Sequence, residues 1–523
     1  MRKRQTGAAP AGNEAPAANA AGSTWRYPFI LGAFVVLALL AYLPVLNDSL
    51  VADDYGHITR VGWLEASELW RVFTVQSPIF MRPLPFLSVW ILYQIFGLEW
   101  FASHVLNVVM HGANAFLLFW LLTRLSASFR LAFLSSILFL FTPIAPEAVS
   151  WTAGRFDVWA LFFMLLALAL YQGALEKKSR PAFAGAMAAA MAALFSKESA
   201  MVLIVMFPVL EIVNRFFPGS PGLKLPAKAD WLRTAGIRLL IFGTLFAGYV
   251  AFRYAVMGRI GNYRDVPLFG VPSPRAAVRS FLTLLSPLDS LMVSGLMINL
   301  MRLSVGLLLA VSVGLVIFRW RKASVAARRT WIFLVAFFLA SLAPVYHAFF
   351  ISGLTQLLND SRFFYVTMAA FLGIVVTGLI GFGWRSRSWQ IAAGLAILLL
   401  VPLSWWGIQQ NNRVWSHSAQ VADYIPEETV RLLPDPPENA TLYFRNLPMA
   451  WGGHLLGGAI VESVSIKYDR SDLQIHYVDP MMEWAPWFSR GVVPLDETGD
   501  GYLFVFEPES ETLYLERGPA EAP

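Results

Sequence analysis

Phe29-Ile-Leu-Gly-Ala-Phe-Val-Val-Leu-Ala-Leu-Leu-Ala-Tyr-Leu-Pro-Val-Leu46 runs straight into Asn47-Asp-Ser-Leu-Val-Ala-Asp-Asp-Tyr-Gly-His57. The first part carries no charge and approaches the ~20 apolar residues that cross a bilayer. The second places two adjacent carboxylates a few residues beyond the membrane boundary. The rest of the 523-residue chain repeats the theme: 57% of it is apolar, only 14% is charged, and its mean hydropathy is +0.56. Soluble domains carry about 25% charged residues, and those residues coat their surface. This composition excludes an ordinary soluble enzyme, a nucleic-acid-binding protein and a disordered chain. The absence of cysteine excludes a disulfide framework, thiolate metal sites and cysteine catalysis.

Apolar segments at 27–46, 100–123, 131–149, 158–175, 181–196, 199–217, 236–257, 291–318, 331–351, 363–383 and 390–409 predict about eleven transmembrane helices. The 181–196 segment is short and Ala-rich. A further run, Leu84 to Gly97, is too short to span and reads as an interfacial or re-entrant helix. With the N-terminus in the cytoplasm, 21 of the 40 Lys and Arg fall on the inner side, accompanied by only Glu14, Glu176, Glu211 and Asp230. The inner connections are short and basic, as the positive-inside rule requires. The pI near 9.4 is therefore an orientation signal, with the outer side net negative.

The expected fold is mainly α: a polytopic membrane domain at 25–409, with a first external loop at 47–99, followed by a small β-rich extracytoplasmic domain at 410–523. Short alternating runs at Thr441–Phe444, Ile460–Tyr468, Leu473–Val478, Tyr502–Phe506 and Thr512–Leu515 carry the β expectation. Residues 1–24, rich in Ala, Gly, Pro and Asn, read as a disordered cytoplasmic leader. The first span lacks a small-residue cleavage site near its end and reads as a retained anchor. The expected location is a bacterial plasma (inner) membrane.

Ionisable residues in or beside spans mark function. Asp53 and Asp54 raise each other's pKa and need a cation, a metal or a substrate hydroxyl nearby; the bland alternative is a helix N-cap. Arg82, in Met81-Arg-Pro-Leu84, either snorkels to headgroups or binds an anionic one. His104, Asn107, His111 and Asn114 fall within roughly an 80° arc of one helix, either as interhelical hydrogen-bonding groups or as part of a site. Glu147, Arg155 and Asp157 sit in Pro143–Asp157. Lys197 and Glu198 sit between the fifth and sixth spans, and Asn359-Asp-Ser-Arg-Phe-Phe-Tyr365 opens the tenth. Each such corner alone reads most simply as an interfacial anchor. Together they put Arg82, Arg155, Lys197 and Arg362 on the side of Asp53 and Asp54, a convergence suited to an anionic lipid headgroup. Phosphate matches the arginine fork.

The order of these motifs is Asp-Asp after the first span, Arg-Pro-Leu, His and Asn on the second helix, Pro-x-x-Pro-Glu-Ala…Gly-Arg-x-Asp, Ser-Lys-Glu, Ser-Arg-x-x-Tyr and Asn412-Arg-x-Trp415. It resembles the C-type (GT-C) membrane glycosyltransferase superfamily over roughly residues 27–415. The similarity is to the protein O-mannosyltransferase-like branch that includes enzymes carrying tetratricopeptide repeats, here without the repeats. The resemblance implies a polyprenyl-phosphate-linked sugar as donor, an acceptor glycosylated on the outer face, and an acidic pair corresponding to Asp53 and Asp54. A hexosyl or mannosyl transferase is the activity it implies, with a protein, lipid or glycan as acceptor and membrane lipid, not nucleic acid, as partner.

The chemistry stands beside the resemblance. A lipid phosphate is already a good leaving group, so the site must stabilise its charge, through Arg82, Arg155, Lys197 or Arg362, and must take the acceptor proton. Asp53 is the expected base, with Asp54 orienting it or binding a cation. His104, His111, Glu147, Glu198 and Tyr365 complete the expected substrate-binding set. The sequence fixes no cofactor; a divalent cation (Mg or Mn) bridging the acidic pair and the phosphate is compatible with the pattern. One step with one base would invert the anomeric centre. The alternatives are a lipid-linked sugar transporter or flippase, a polysaccharide polymerase or ligase, and a scaffold without catalysis.

Overall fold

The computed structural model describes residues 26–74, 81–218, 227–260, 274–345, 358, 360–448, 450–451, 453–454, 459–478, 493 and 500–519. The leader at 1–24 and Asn359 lie outside the described residues. The helices in chain order are α1 Arg26–Tyr42, α2 Asp53–His57, α3 Pro83–Phe96, α4 Phe101–Ser126, α5 Phe129–Leu140, α6 Pro146–Val149, α7 Arg155–Lys177 and α8 Arg180–Leu194. They continue with α9 Leu203–Phe216, α10 Lys228–Met257, α11 Pro274–Leu285, α12 Gly295–Arg319, α13 Val325–Leu342, α14 Tyr365–Val376, α15 Arg387–Leu432 and α16 Ile460–Tyr468. Local sequence explains many of the boundaries. Ser128, Ser179, Ser324 and Ser386 accept a backbone N–H at the starts of α5, α8, α13 and α15. Pro83 begins α3, where its missing N–H costs nothing.

Among the described residues, nine helical stretches are long and apolar enough to cross a membrane, each at an expected span. The other two expected spans are the shorter helices α5 and α8, of 12 and 15 residues. At 1.5 Å per residue α5 covers about 18 Å, less than the ~30 Å hydrocarbon core. The expected segment 131–149 ran too far because apolarity alone does not register its prolines. The chain turns at 141–145 around Pro143, and Pro146 starts the separate α6. The run 84–97 forms α3, as a short apolar helix.

The core gathers the inner faces of α1, α4, α5, α7, α8, α9, α13 and α14. α1 and α4 touch through Gly112, where an added Cβ would meet the backbone of Val35 at 2.8 Å. Outward, α10, α12 and α15 expose Leu240, Leu303, Phe318 and Leu399. Apolar surface on that scale suits lipid rather than water. The protein is an integral membrane protein.

α15 does not end at the expected 409. It runs to Leu432, 46 residues in all. Beyond it, strands β1 Thr441–Arg445, β4 Gln474–Val478, β5 Tyr502–Glu507 and β6 Thr512–Arg517 form a sheet in the order β4-β1-β5-β6, while β2 Ala450–Trp451 and β3 Gly453–His454 form a small hairpin. β1 pairs in parallel with β4 and β5, and β5 antiparallel with β6. Ile460–Tyr468, expected as a strand, is the helix α16. A parallel β1–β4 pair needs a crossover, and α16 supplies it, burying Ile460 and Val464 one turn apart. One sheet face, with Leu442, Phe444, Ile475 and Phe504, packs with Ala422 and Ile425 of α15 and with Ile460 of α16.

Candidate active site

Asp53 and Asp54 open α2, and successive helical residues point about 100° apart. Asp54 turns inward and is buried. Thr152 Oγ1 donates to it at 2.6 Å and the Val51 amide at 3.0 Å. Burial pushes its carboxyl up to about 6, against the pull of Thr152, Val51 and the nearby Arg155 charge. Asp53 faces outward and is exposed. It lies close enough to His57 and Glu462 to act on both, and Arg60 acts on the same two groups. Burial raises the Glu462 carboxyl. His57 is held neutral: burial takes it down to about 3, wedged edge-on against Phe86 and Phe156. The two carboxylates therefore stand in different surroundings, one exposed and one enclosed. Among the described residues no three His, Asp or Glu side chains converge as a metal ligand set.

The described residues also form a small cavity, of about 40 Å³. Arg82, Asp157, Lys197, Glu198 and Ser199 give it a charged, polar wall, while Val345, Phe363 and Val366 give it an apolar one. Its charges are held in place. Asp157 accepts from Lys197 Nζ at 2.6 Å through both oxygens, and Phe363 presents its ring to the same ammonium. Glu198 accepts from Arg82 at 3.0 and 3.2 Å with one oxygen and from Arg253 at 2.9 Å with the other. Burial lowers the Lys197 ammonium, with Asp157 opposing. Cations fixed this way are preorganised for an anion, whose charge they meet without rearranging.

The chain at 143–155 is the hub of the site. Glu147, buried, accepts from the Asp360 and Arg362 amides, the Ser361 hydroxyl and the Arg362 guanidinium. It is thus an anchor for the start of α14, with both oxygens occupied. Arg362 lies over the Trp151 and Phe363 rings. Asn107 donates to the carbonyls of Val149, Trp151 and Thr152, and Ser150 donates to Asn412. At Gly154 an added Cβ would lie 2.4 Å from the Glu147 carbonyl, so only glycine allows this turn. Arg155, buried, donates to the Thr152 carbonyl and to Ser88.

The remaining expected residues are placed elsewhere. His104 Nε2 contacts the Asp48 carbonyl at 3.0 Å. His111 Nε2 contacts the Leu140 carbonyl at 3.0 Å, and its Nδ1 meets the Tyr365 hydroxyl at 2.7 Å. A carbonyl only accepts, so Nε2 carries the proton in both rings and Nδ1 of His111 accepts from Tyr365. Asn114 donates to the same hydroxyl. These groups pin helices together, and none of them lines the cavity. Arg253 of α10 was missed. It is fully buried against Glu198, and an arginine inside an apolar span was the available signal.

No protein-family model matches the chain, and no curated protein does. Solved structures similar in fold include two of ArnT. One is ArnT from Cupriavidus metallidurans bound to undecaprenyl phosphate, at 11% identity and TM-score 0.51, covering 92% of this chain and 93% of that one. The other is ArnT from the same organism in the apo state, at 12% identity and TM-score 0.54, covering 92% and 94%. At such identity the likeness is one of fold. The chain shares the polytopic fold of ArnT.

Proposed function

We propose that this protein is a glycosyltransferase that moves a sugar from a polyprenyl-phosphate donor to an acceptor hydroxyl on the outer face of the membrane, with inversion. The observation that carries this reading is the cavity wall in which Arg82 and Lys197 are each held by a carboxylate, Glu198 and the buried Asp157. The ArnT likeness supports it, since one of those structures holds undecaprenyl phosphate. A hexose of the mannose type is the proposed sugar, following the O-mannosyltransferase-like motif order. The membrane is proposed to be a bacterial plasma membrane, with the N-terminus inside and the sheet domain outside.

In the reaction the bond between the anomeric carbon and the phosphate oxygen breaks as the acceptor oxygen attacks the opposite face. The electron pair leaves with the polyprenyl phosphate, whose growing charge falls on Arg82 and Lys197, with Arg362 alongside. The acceptor proton passes to Asp53, the member of the pair exposed to an incoming hydroxyl. Asp54, enclosed by Thr152 and Val51, sets the position of α2.

The test is transfer by the purified protein in lipid nanodiscs, supplied with labelled polyprenyl-phosphate hexoses and cell-envelope acceptors. Donor-dependent labelling with inverted anomeric configuration is expected. Retained configuration would remove the single-base mechanism, and movement of intact donor between leaflets without bond cleavage would favour a flippase.

A further inference from the structure

Two serine hydroxyls face the cavity, and they differ. Ser341 Oγ is satisfied, bonded to the Phe338 carbonyl at 2.8 Å and to Thr367 at 2.9 Å. Ser199 Oγ is buried with no hydrogen-bond partner among the described residues. Buried hydroxyls are nearly always paired, and an exception calls for an explanation. This one adjoins Glu198 in sequence, and its residue shares a wall with Arg82 and Lys197. Every described charge on that wall already has an ionic partner, so the hydroxyl is the donor left over.

Building on the proposed function, we infer that Ser199 is a ligand of the donor's phosphate, its hydroxyl donating to a non-bridging oxygen. Arg82 and Lys197 supply charge, whereas Ser199 supplies a short neutral donor at a fixed position. It is satisfied only when the phosphate is bound. A hydrogen bond to a charged group is stronger than one between neutral groups, so its loss falls on the bound state. The ligand-free protein loses no bond when the hydroxyl is removed.

The experiment measures binding of undecaprenyl phosphate to the full-length protein in nanodiscs, for the wild type, Ser199→Ala and Ser199→Thr, with the Tm of each in the absence of ligand. Ser199→Ala should weaken binding about tenfold with Tm unchanged or raised, and Ser199→Thr should restore most of the affinity. Equal binding by wild type and Ser199→Ala overturns the assignment while leaving the proposed function standing. A lowered Tm in Ser199→Ala with binding intact makes the hydroxyl structural and also overturns it. A wild type that binds no undecaprenyl phosphate overturns both.

Discussion

Glu198 and Glu211 stand at opposite ends of one helical stretch, Glu198–Phe216, and both hold arginines inside the bundle. Glu211 accepts from Tyr171 at 2.8 Å and from Arg238 at 2.7 and 2.9 Å. Both of its oxygens are used, and its partners lie on α7 and α10. Glu198 has both oxygens used as well, but it adjoins a cavity, a second ion pair and an unpaired hydroxyl. The two clusters share chemistry and differ in what surrounds them. Ion pairing inside a membrane protein therefore identifies a site only when space and leftover donors accompany it. Read this way, Glu211 is a structural pin and Glu198 is part of a cradle.

The largest effect expected comes from Asp53→Asn. Loss of a general base costs ~10²–10⁴-fold in rate, so transfer should fall by about three orders of magnitude. Asp53 is exposed, so Tm should not move; turnover near wild type would remove Asp53 as base. Next comes the direct contrast of Glu198→Gln with Glu211→Gln. Removing one partner of a buried ion pair costs ~3–5 kcal/mol. Glu211→Gln should show this as a lower Tm, with kcat per folded molecule retained. Glu198→Gln frees Arg82 and Arg253 at the cavity and should change donor KM as well. Identical behaviour of the two variants would erase the distinction. Arg362→Ala should raise the donor KM about tenfold and leave the acceptor KM within about twofold; equal effects on both would take Arg362 away from the phosphate.

The smallest effect concerns pH. Folding raises the Asp54 carboxyl from its ordinary 3.8 to about 6. Its contribution to stability is therefore complete below about pH 4 and is lost as pH rises through about 6. Activity should move the opposite way, rising over the same window as Asp54 ionises and accepts from Thr152. Thr152→Val removes a bond that lowers this pKa, so the acid limb of kcat/KM should shift upward by a fraction of a pH unit to about one. An unmoved limb would separate Asp54 from activity.

Much of the bundle was legible because apolar length is a one-dimensional signal, and nine of the expected spans need nothing more. Where prolines set the ends, as at Pro143 and Pro146, hydropathy overran them. The outer half of α15 escaped notice for the opposite reason. Residues 410–432 are too polar for a span, yet Asn411, Val414, Ser418, Val421, Ala422, Ile425 and Thr429 bury one face at helical spacing. Ile460–Tyr468 offers apolar positions compatible with either period, and the parallel sheet decides for a helix. In the site, residue type brought Arg82, Lys197 and Glu198 to attention. Sequence could not divide Asp53 from Asp54, because only the turn of α2 sends one inward. Nor could it separate His104, His111 and Tyr365 from the cavity, since a hydrogen bond between helices uses the same residues as a ligand site.

The claim that the cradle holds a lipid phosphate and the pin does not is tested most directly by binding of undecaprenyl phosphate in nanodiscs to Arg82→Ala and Arg238→Ala. Arg82→Ala should weaken binding at least tenfold, and Arg238→Ala should bind as the wild type does. Equal binding by both variants, or loss confined to Arg238→Ala, would contradict it.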